Sequence, residues 1–265
     1  QNPVVPVTFN TGQILIGLAA AASVFERPDY LDAMHKAAGW LRDTQDEDGA
    51  WRAYATPYAA PGDKAYETHV SWGLFEAERV APGHGYGEAG LRQVRWALSL
   101  QRDNGWFDHC CLNDPKRPLT HTLGYVLRGV LEAYRLSKDD VYLEAGLKTA
   151  EALRQCLQDN GRLAGRFSSN WSPAVPWVCM TGTAQISSCW MMLYEWTGQG
   201  ALLDASKRAN SFLRRTLISQ GPDGIRGGIR GSYPISGDYG RWEFLNWAAK
   251  FTIDALRQEQ RLLEK

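Results

Sequence analysis

His121 and Tyr125 stand four residues apart in "LTHTLGYVLRG", a segment of helical periodicity, so the two side chains share one helix face. An imidazole beside a phenol is a base beside an acid. With arginines nearby, such a pair is equipped to take the C5 proton of a uronate sugar and to protonate the oxygen that leaves. The cations would favour the enolate-like intermediate. His69, in "ETHVSWGLF", occupies the matching place one repeat earlier. Glu243, expected at the start of the last helix, offers different chemistry. Paired with Asp108 or Glu67, it could act as acid or base in glycoside hydrolysis. The plain structural alternatives are a histidine bonded to neighbouring backbone and an acid placed to suit a helix dipole.

The residues that would hold the substrate lie in the long connections. "GIRGGIRGSYPISGDYGRWEFLNW" (224–247) is rich in glycine, arginine and aromatics, more decorated than a helix connection requires. Arg230 and Arg166 are the candidates to neutralise a sugar carboxylate, which a guanidinium grips through two parallel bonds. Trp51, Trp106, Trp171 and Trp177 are candidate stacking platforms for pyranose faces, and Asp108, Tyr233 and Tyr239 complete the binding set. The expected partner is therefore an acidic polysaccharide or oligosaccharide. Lyase or C5-epimerase chemistry is the first reading. Glycoside hydrolysis and non-catalytic glycan binding are the alternatives.

Two kinds of helix must position these groups. Segments 9–25, 67–80, 119–137, 180–198 and 241–258 are small or apolar nearly all round, which predicts burial on most faces. Segments 28–45, 86–101, 140–158 and 201–220 follow the first four and are amphipathic at a spacing of three and four. Inner helix, short turn, outer helix, long connection: the unit recurs four times, and a fifth inner helix closes the chain. The pattern predicts an all-α fold, an α/α toroid of five to six helix pairs in a single domain over 1–265. The long connections 46–66, 102–119, 159–180 and 221–241 then gather at the rim where the inner helices begin, and helix N-termini there favour anions.

Composition narrows the function. The 29 basic and 29 acidic residues cancel, so nothing global points to nucleic acid or a membrane surface. The apolar stretch "ILIGLAAAASVF" is short for a bilayer span, and membrane insertion is not expected. Five cysteines without framework spacing predict reduced thiols and a cytoplasmic setting. "QNPVVPVTFN" has neither an initiator Met nor a signal-peptide pattern, and is expected to be a processed or shortened start. No Cys-x-x-Cys or His-x-x-x-His spacing calls for a metal. "GIRGGIRG" is no dinucleotide fingerprint, since no strand precedes it. No cofactor is expected.

Two connections carry a further signature. "QDEDGAW" (45–51) reads Gln-x-x-x-Gly-x-Trp, and "QRDNGWF" (101–107) nearly repeats it. The glycine can end an outer helix in the left-handed conformation, and the tryptophan can pack over that end. Such elements on α/α repeats resemble the terpenoid cyclase and protein prenyltransferase toroid superfamily. "FNTGQILIGL", "PLTHTLGY", "GRFSSNW" with "CMTGTAQ", and "GIRGGIRGSYPI" with "NWAAKF" resemble something narrower. They are similar to a family of bacterial toroid proteins encoded among polysaccharide-biosynthesis genes and often labelled prenyltransferase-like. The resemblance covers essentially the whole chain and implies the toroid. It does not carry prenyl chemistry with it. The Asp-rich motif of class II cyclases is missing, and the basic residues are too scattered for a diphosphate site.

Overall fold

Nine α-helices run through the described residues, 5–60 and 62–264, of the computed structural model. They are α1 (Thr8–Phe25), α2 (Pro28–Asp43), α3 (Thr68–Val80), α4 (Tyr86–Leu98), α5 (Thr120–Ser137), α6 (Asp140–Gln155), α7 (Met180–Thr197), α8 (Gly200–Thr216) and α9 (Asn246–Leu263). A single turn of 3-10 helix, Ala65–Glu67, leads into α3. Two short strands, β1 (Val178–Cys179) and β2 (Ser232–Tyr233), pair antiparallel. The expected all-α class stands, and the predicted segments fall on observed helices.

The chain forms two compact units. The first is built on α1 to α4 with residues 107–115 and 128–145. Here α3 packs on α1 and α4, and Thr68 to Phe75 are buried without a break. A Cβ on Gly73 would meet the Gly12 carbonyl oxygen at 2.5 Å, so backbone contact sets the α1–α3 spacing. Leu15, Met34, Leu41, Trp51 and Leu74 fill the core beneath. The second unit holds residues 103–106, 116–127 and 146 onward. Its centre is α7, which packs on α8 and α9 and buries every residue from Met180 to Leu193.

Outer helices end as their glycines predict. Gly49 (φ +98°) and Gly105 (φ +81°) follow α2 and α4 in left-handed turns. Each also lies against the next outer helix: a Cβ on Gly49 would sit 2.7 Å from the Arg92 carbonyl oxygen, and one on Gly105 2.8 Å from that of Lys148. Gly161, after α6, touches the Arg208 carbonyl in the same way. Gln45 opens the first of these turns by donating to the carbonyls of Gly49 and Ala89, both at 2.9 Å.

Two helices depart from expectation. The last helix starts at Asn246 rather than at Arg241. Trp242 turns left-handed (φ +65°), and residues 243–245 run extended against 229–231: Gly231 N–H donates to Glu243 (3.1 Å) and Leu245 N–H to Ile229 (3.1 Å). This pairing across the loop overrides local helix propensity. The other departure is α1, apolar all round yet buried only along Thr8, Gly12, Leu15 and Ala19, with Ile14, Val24 and Phe25 exposed. Its full 18 residues, beyond the stretch singled out in the sequence, are long and apolar enough to cross a bilayer by length and composition. A core helix of a soluble protein meets the same test.

Candidate functional site

Burial in the second unit brings His121 and Tyr125 of α5 together with Tyr239 of the 224–247 loop. The His121 ring lies 4.3 Å from the Tyr125 ring and 5.0 Å from that of Tyr239, centroid to centroid. The i,i+4 spacing on α5 explains the first contact. The second comes from β2, which aligns the loop: Ser232 pairs with Cys179, and the Ser232 hydroxyl donates to the Tyr239 carbonyl at 2.7 Å. Tyr239 Oη also accepts from Trp247 Nε1 at 2.9 Å.

His121 Nδ1 lies 3.0 Å from Gln185 Oε1 on α7. With that carbonyl oxygen as acceptor, Nδ1 carries the ring proton and Nε2 keeps a lone pair. Two glycines allow this approach. A Cβ on Gly124 would press on Gln185 Cβ at 2.8 Å, and one on Gly182 would meet His121 N at 2.5 Å. The glycines of "LTHTLGY" and "CMTGTAQ" thus bring the two helices close enough for the bond to form.

Burial sets the protonation states. It pushes the His121 imidazole down to about 4, with the Gln185 bond acting weakly the other way. It drives both tyrosine hydroxyls well above their ordinary range, and the neighbouring Cys179 adds to the rise. Cys179 itself, fully buried, is pushed up to about 12 by burial, against backbone N–H groups of Gly182 and His121 and the Arg166 charge. Near neutral pH the cluster is therefore a neutral imidazole facing two protonated phenols. That is a base and two acids without net charge. Gln185 and Cys179 close the two ends of the "CMTGTAQ" segment, but only the approach of α5 to α7 shows which groups they face.

The other expected residues divide. Arg166 donates to the Arg117 carbonyl at 2.6 Å, and its charge reaches Cys179. Arg230 Nη1 donates to the Thr216 carbonyl (3.0 Å), capping the end of α8. Glu243 is a correction. It opens no helix and sits exposed in the extended strand-like segment before α9. Trp51 and Trp106 are 2% and 1% exposed, and no sugar can stack on a face already covered. Trp51 Nε1 donates to the Leu41 carbonyl at 2.9 Å, closing the end of α2. Trp177 is wedged between Gly165 and Gly237, whose absent side chains leave space for its ring. Trp171 is half-buried, edge-on to Trp106 at 5.2 Å, with Nε1 on the Asn104 carbonyl (2.9 Å). Tyr233 is partly exposed and edge-on to Phe212.

In the first unit, His69 is buried between Phe9, stacked at 6.3 Å, and Trp72, edge-on at 5.3 Å. Asp108 is held by Arg102 through two bonds of 2.7 and 2.9 Å at the surface.

The fold is that of the α/α toroid enzymes. An unsaturated glucuronyl hydrolase specific for heparin matches with a TM-score of 0.79 at 14% identity, over 98% of this chain and 76% of that one. The unsaturated glucuronyl hydrolase of Bacillus sp. GL1, responsible for the degradation of glycosaminoglycan, matches at 0.77 and 16%, over 96% and 74%. The cellobiose 2-epimerase of Bacillus thermoamylovorans matches at 0.71 and 12%, over 94% and 71%. No protein-family model matches the chain, and no curated protein matches its sequence.

Proposed function

We propose that this protein is a carbohydrate-active enzyme that takes an acidic, uronate-containing poly- or oligosaccharide and abstracts its C5 proton, as a lyase or a C5-epimerase. The carrying observation is the His121 cluster: a neutral imidazole, its Nδ1 proton held by Gln185, beside two phenols kept protonated by burial. His121 Nε2 takes the C5 proton. In a lyase the electron pair forms the C4–C5 double bond, the C4–O bond breaks, and Tyr125 gives its hydroxyl proton to the departing oxygen. In an epimerase a tyrosine returns a proton to the opposite face of C5. Arg166 is the cation placed to favour the carboxylate and the enolate-like intermediate.

Support of a coarser kind comes from the neighbours, whose descriptions name a glucuronyl substrate and a sugar epimerisation. A resemblance to bacterial toroid proteins encoded with polysaccharide-biosynthesis genes belongs to the same proposal.

The test is incubation with a panel of polyuronates and glycosaminoglycans in deuterated water. A lyase gives unsaturated uronate absorbance with one reducing end for each cleavage. An epimerase gives deuterium at C5 without new ends. His121→Ala is expected to lower either signal by about 100-fold or more. Neither signal on any acidic saccharide, or full activity in His121→Ala, would overturn the assignment.

A further inference from the structure

The first unit buries a carboxyl group that the chemistry above does not use. Glu67 ends the 3-10 turn before α3 and is 4% exposed. No hydrogen bond to its carboxyl is found among the described residues; burial acts on it most, followed by the charges of Lys64, Asp63, Arg52 and Asp46. A glutamate in such a place costs stability that a leucine or a bonded glutamine would not. Burial outweighs the opposing Lys64 charge and pushes the carboxyl up to about 8, so near neutral pH it holds a proton.

Beside it runs a second chain segment with a different group. The Ala65 N–H donates to the His109 carbonyl at 3.2 Å, which ties the Glu67 turn to residue 109. His109 adopts a left-handed backbone (φ +56°), a conformation that a histidine keeps only where its surroundings hold it. Its Nδ1 is 2.8 Å from Asp63 Oδ1, and Arg52 lies 3.6 Å from the other Asp63 oxygen. The carboxylate fixes the Nδ1–H tautomer and leaves Nε2 as acceptor, on a ring that is half exposed. The 51–60 loop is fastened alongside by Ala60 N–H to the Leu112 carbonyl (2.7 Å), and it carries Tyr58, 85% exposed, and Tyr54. Open aromatic faces of this kind stack on pyranose rings.

We propose that Glu67 is the acid, and His109 oriented by Asp63 the base, of a second proton-transfer centre that hydrolyses a glycosidic C–O bond. Only the substrate class rests on the carbohydrate reading of the protein. Glu67 gives its proton to the bridging oxygen as the bond to the anomeric carbon breaks. Water adds to that carbon and loses a proton to His109 Nε2. His109 Nε2 then releases that proton to solvent while Glu67 takes one back, and the two groups end as they began.

The experiment counts reducing ends in excess of unsaturated ends, which isolates hydrolysis from lyase cleavage. The probes are chondroitin, oligogalacturonate and oligomannose fragments. Wild-type protein is expected to release such ends, at a rate that falls as pH rises past about 8. Glu67→Gln should lower the rate by about 100-fold, and His109→Asn should lower it while Glu67 remains intact, with C5 deuterium exchange unchanged in both. Should Glu67→Gln fail to fold by near-ultraviolet dichroism, the surface variant His109→Asn carries the test. No excess reducing ends from any probe, or both variants within twofold of wild type, would overturn the proposal and leave the His121 assignment standing. Excess ends that depend on Glu67 without any C5 exchange would do the reverse.

Discussion

His121 and Glu67 are buried titratable groups whose effects on stability oppose each other. Folding lowers the His121 pKa from 6.5 to about 4, so the unfolded chain binds more protons between those values. Its contribution is present above pH 6.5 and is lost as pH falls to 4. Folding raises the Glu67 pKa from 4.5 to about 8, so the folded chain binds more protons in that window. That contribution is present below 4.5 and is lost as pH rises to 8. Each shift corresponds to a few kcal/mol, about 1.4 for each unit. Glu67→Gln is therefore expected to raise the melting temperature at pH 8 by several degrees, with little change at pH 4.5. His121→Asn should flatten the acid side instead. Thermal melts across pH 4 to 9 check both, and the same slope in variant and wild type would remove the buried-carboxyl argument.

Helix ends and helix contacts are set by residues whose importance comes from what they touch. The turn glycines after α2 and α4 combine left-handed backbone with contact to the next outer helix. Gly105→Ala is expected to cost roughly 2–4 kcal/mol, the sum of backbone strain and a displaced α6 backbone, read by chemical denaturation. The Gln-x-x-x-Gly-x-Trp pattern identified these turns correctly. The same tryptophans were also expected to meet sugar, and there the structural role excludes the functional one. A second element-scale feature joins α5 to α3. Glu132 of α5, fully buried, receives Arg79, Arg128 and Arg135 at 3.4, 2.8 and 3.4 Å, and Arg128 covers the Trp72 ring at 3.8 Å. Glu132→Gln removes the shared anion while Glu76 still pairs Arg79 (2.6 Å) and Arg135 (3.8 Å), and should cost about 1.5–3 kcal/mol in the same denaturation experiment.

At the scale of the whole chain, 29 cations balance 29 anions. Long-range attraction of an acidic polymer is then absent, and under the proposed function capture would depend on a few local groups such as Arg166. The association rate of an acidic oligosaccharide is expected to change by well under tenfold between low and physiological salt, measured by stopped-flow fluorescence. A steep salt dependence would mean that a much larger basic surface takes part. Both units carry buried titratable groups, His121 in one and Glu67 in the other, so substitutions at the two are expected to act independently.

The sequence by itself determined the helical class, the alternation of buried and amphipathic helices, the glycine turns and the His121–Tyr125 pair. All of these depend on periodicity or spacing within one helix or one turn, where local geometry leaves few choices. Only the tertiary structure decided the start of α9, the sealing of Trp51 and Trp106, the bond of Arg230 to the end of α8, the contact of Gln185 with His121, and the burial of Cys179 and Glu67. Each of these depends on a contact between segments far apart in the chain. Burial and hydrogen-bond partners arise from such contacts, and they determine whether a tryptophan is a wall or a platform and whether a carboxyl keeps its proton.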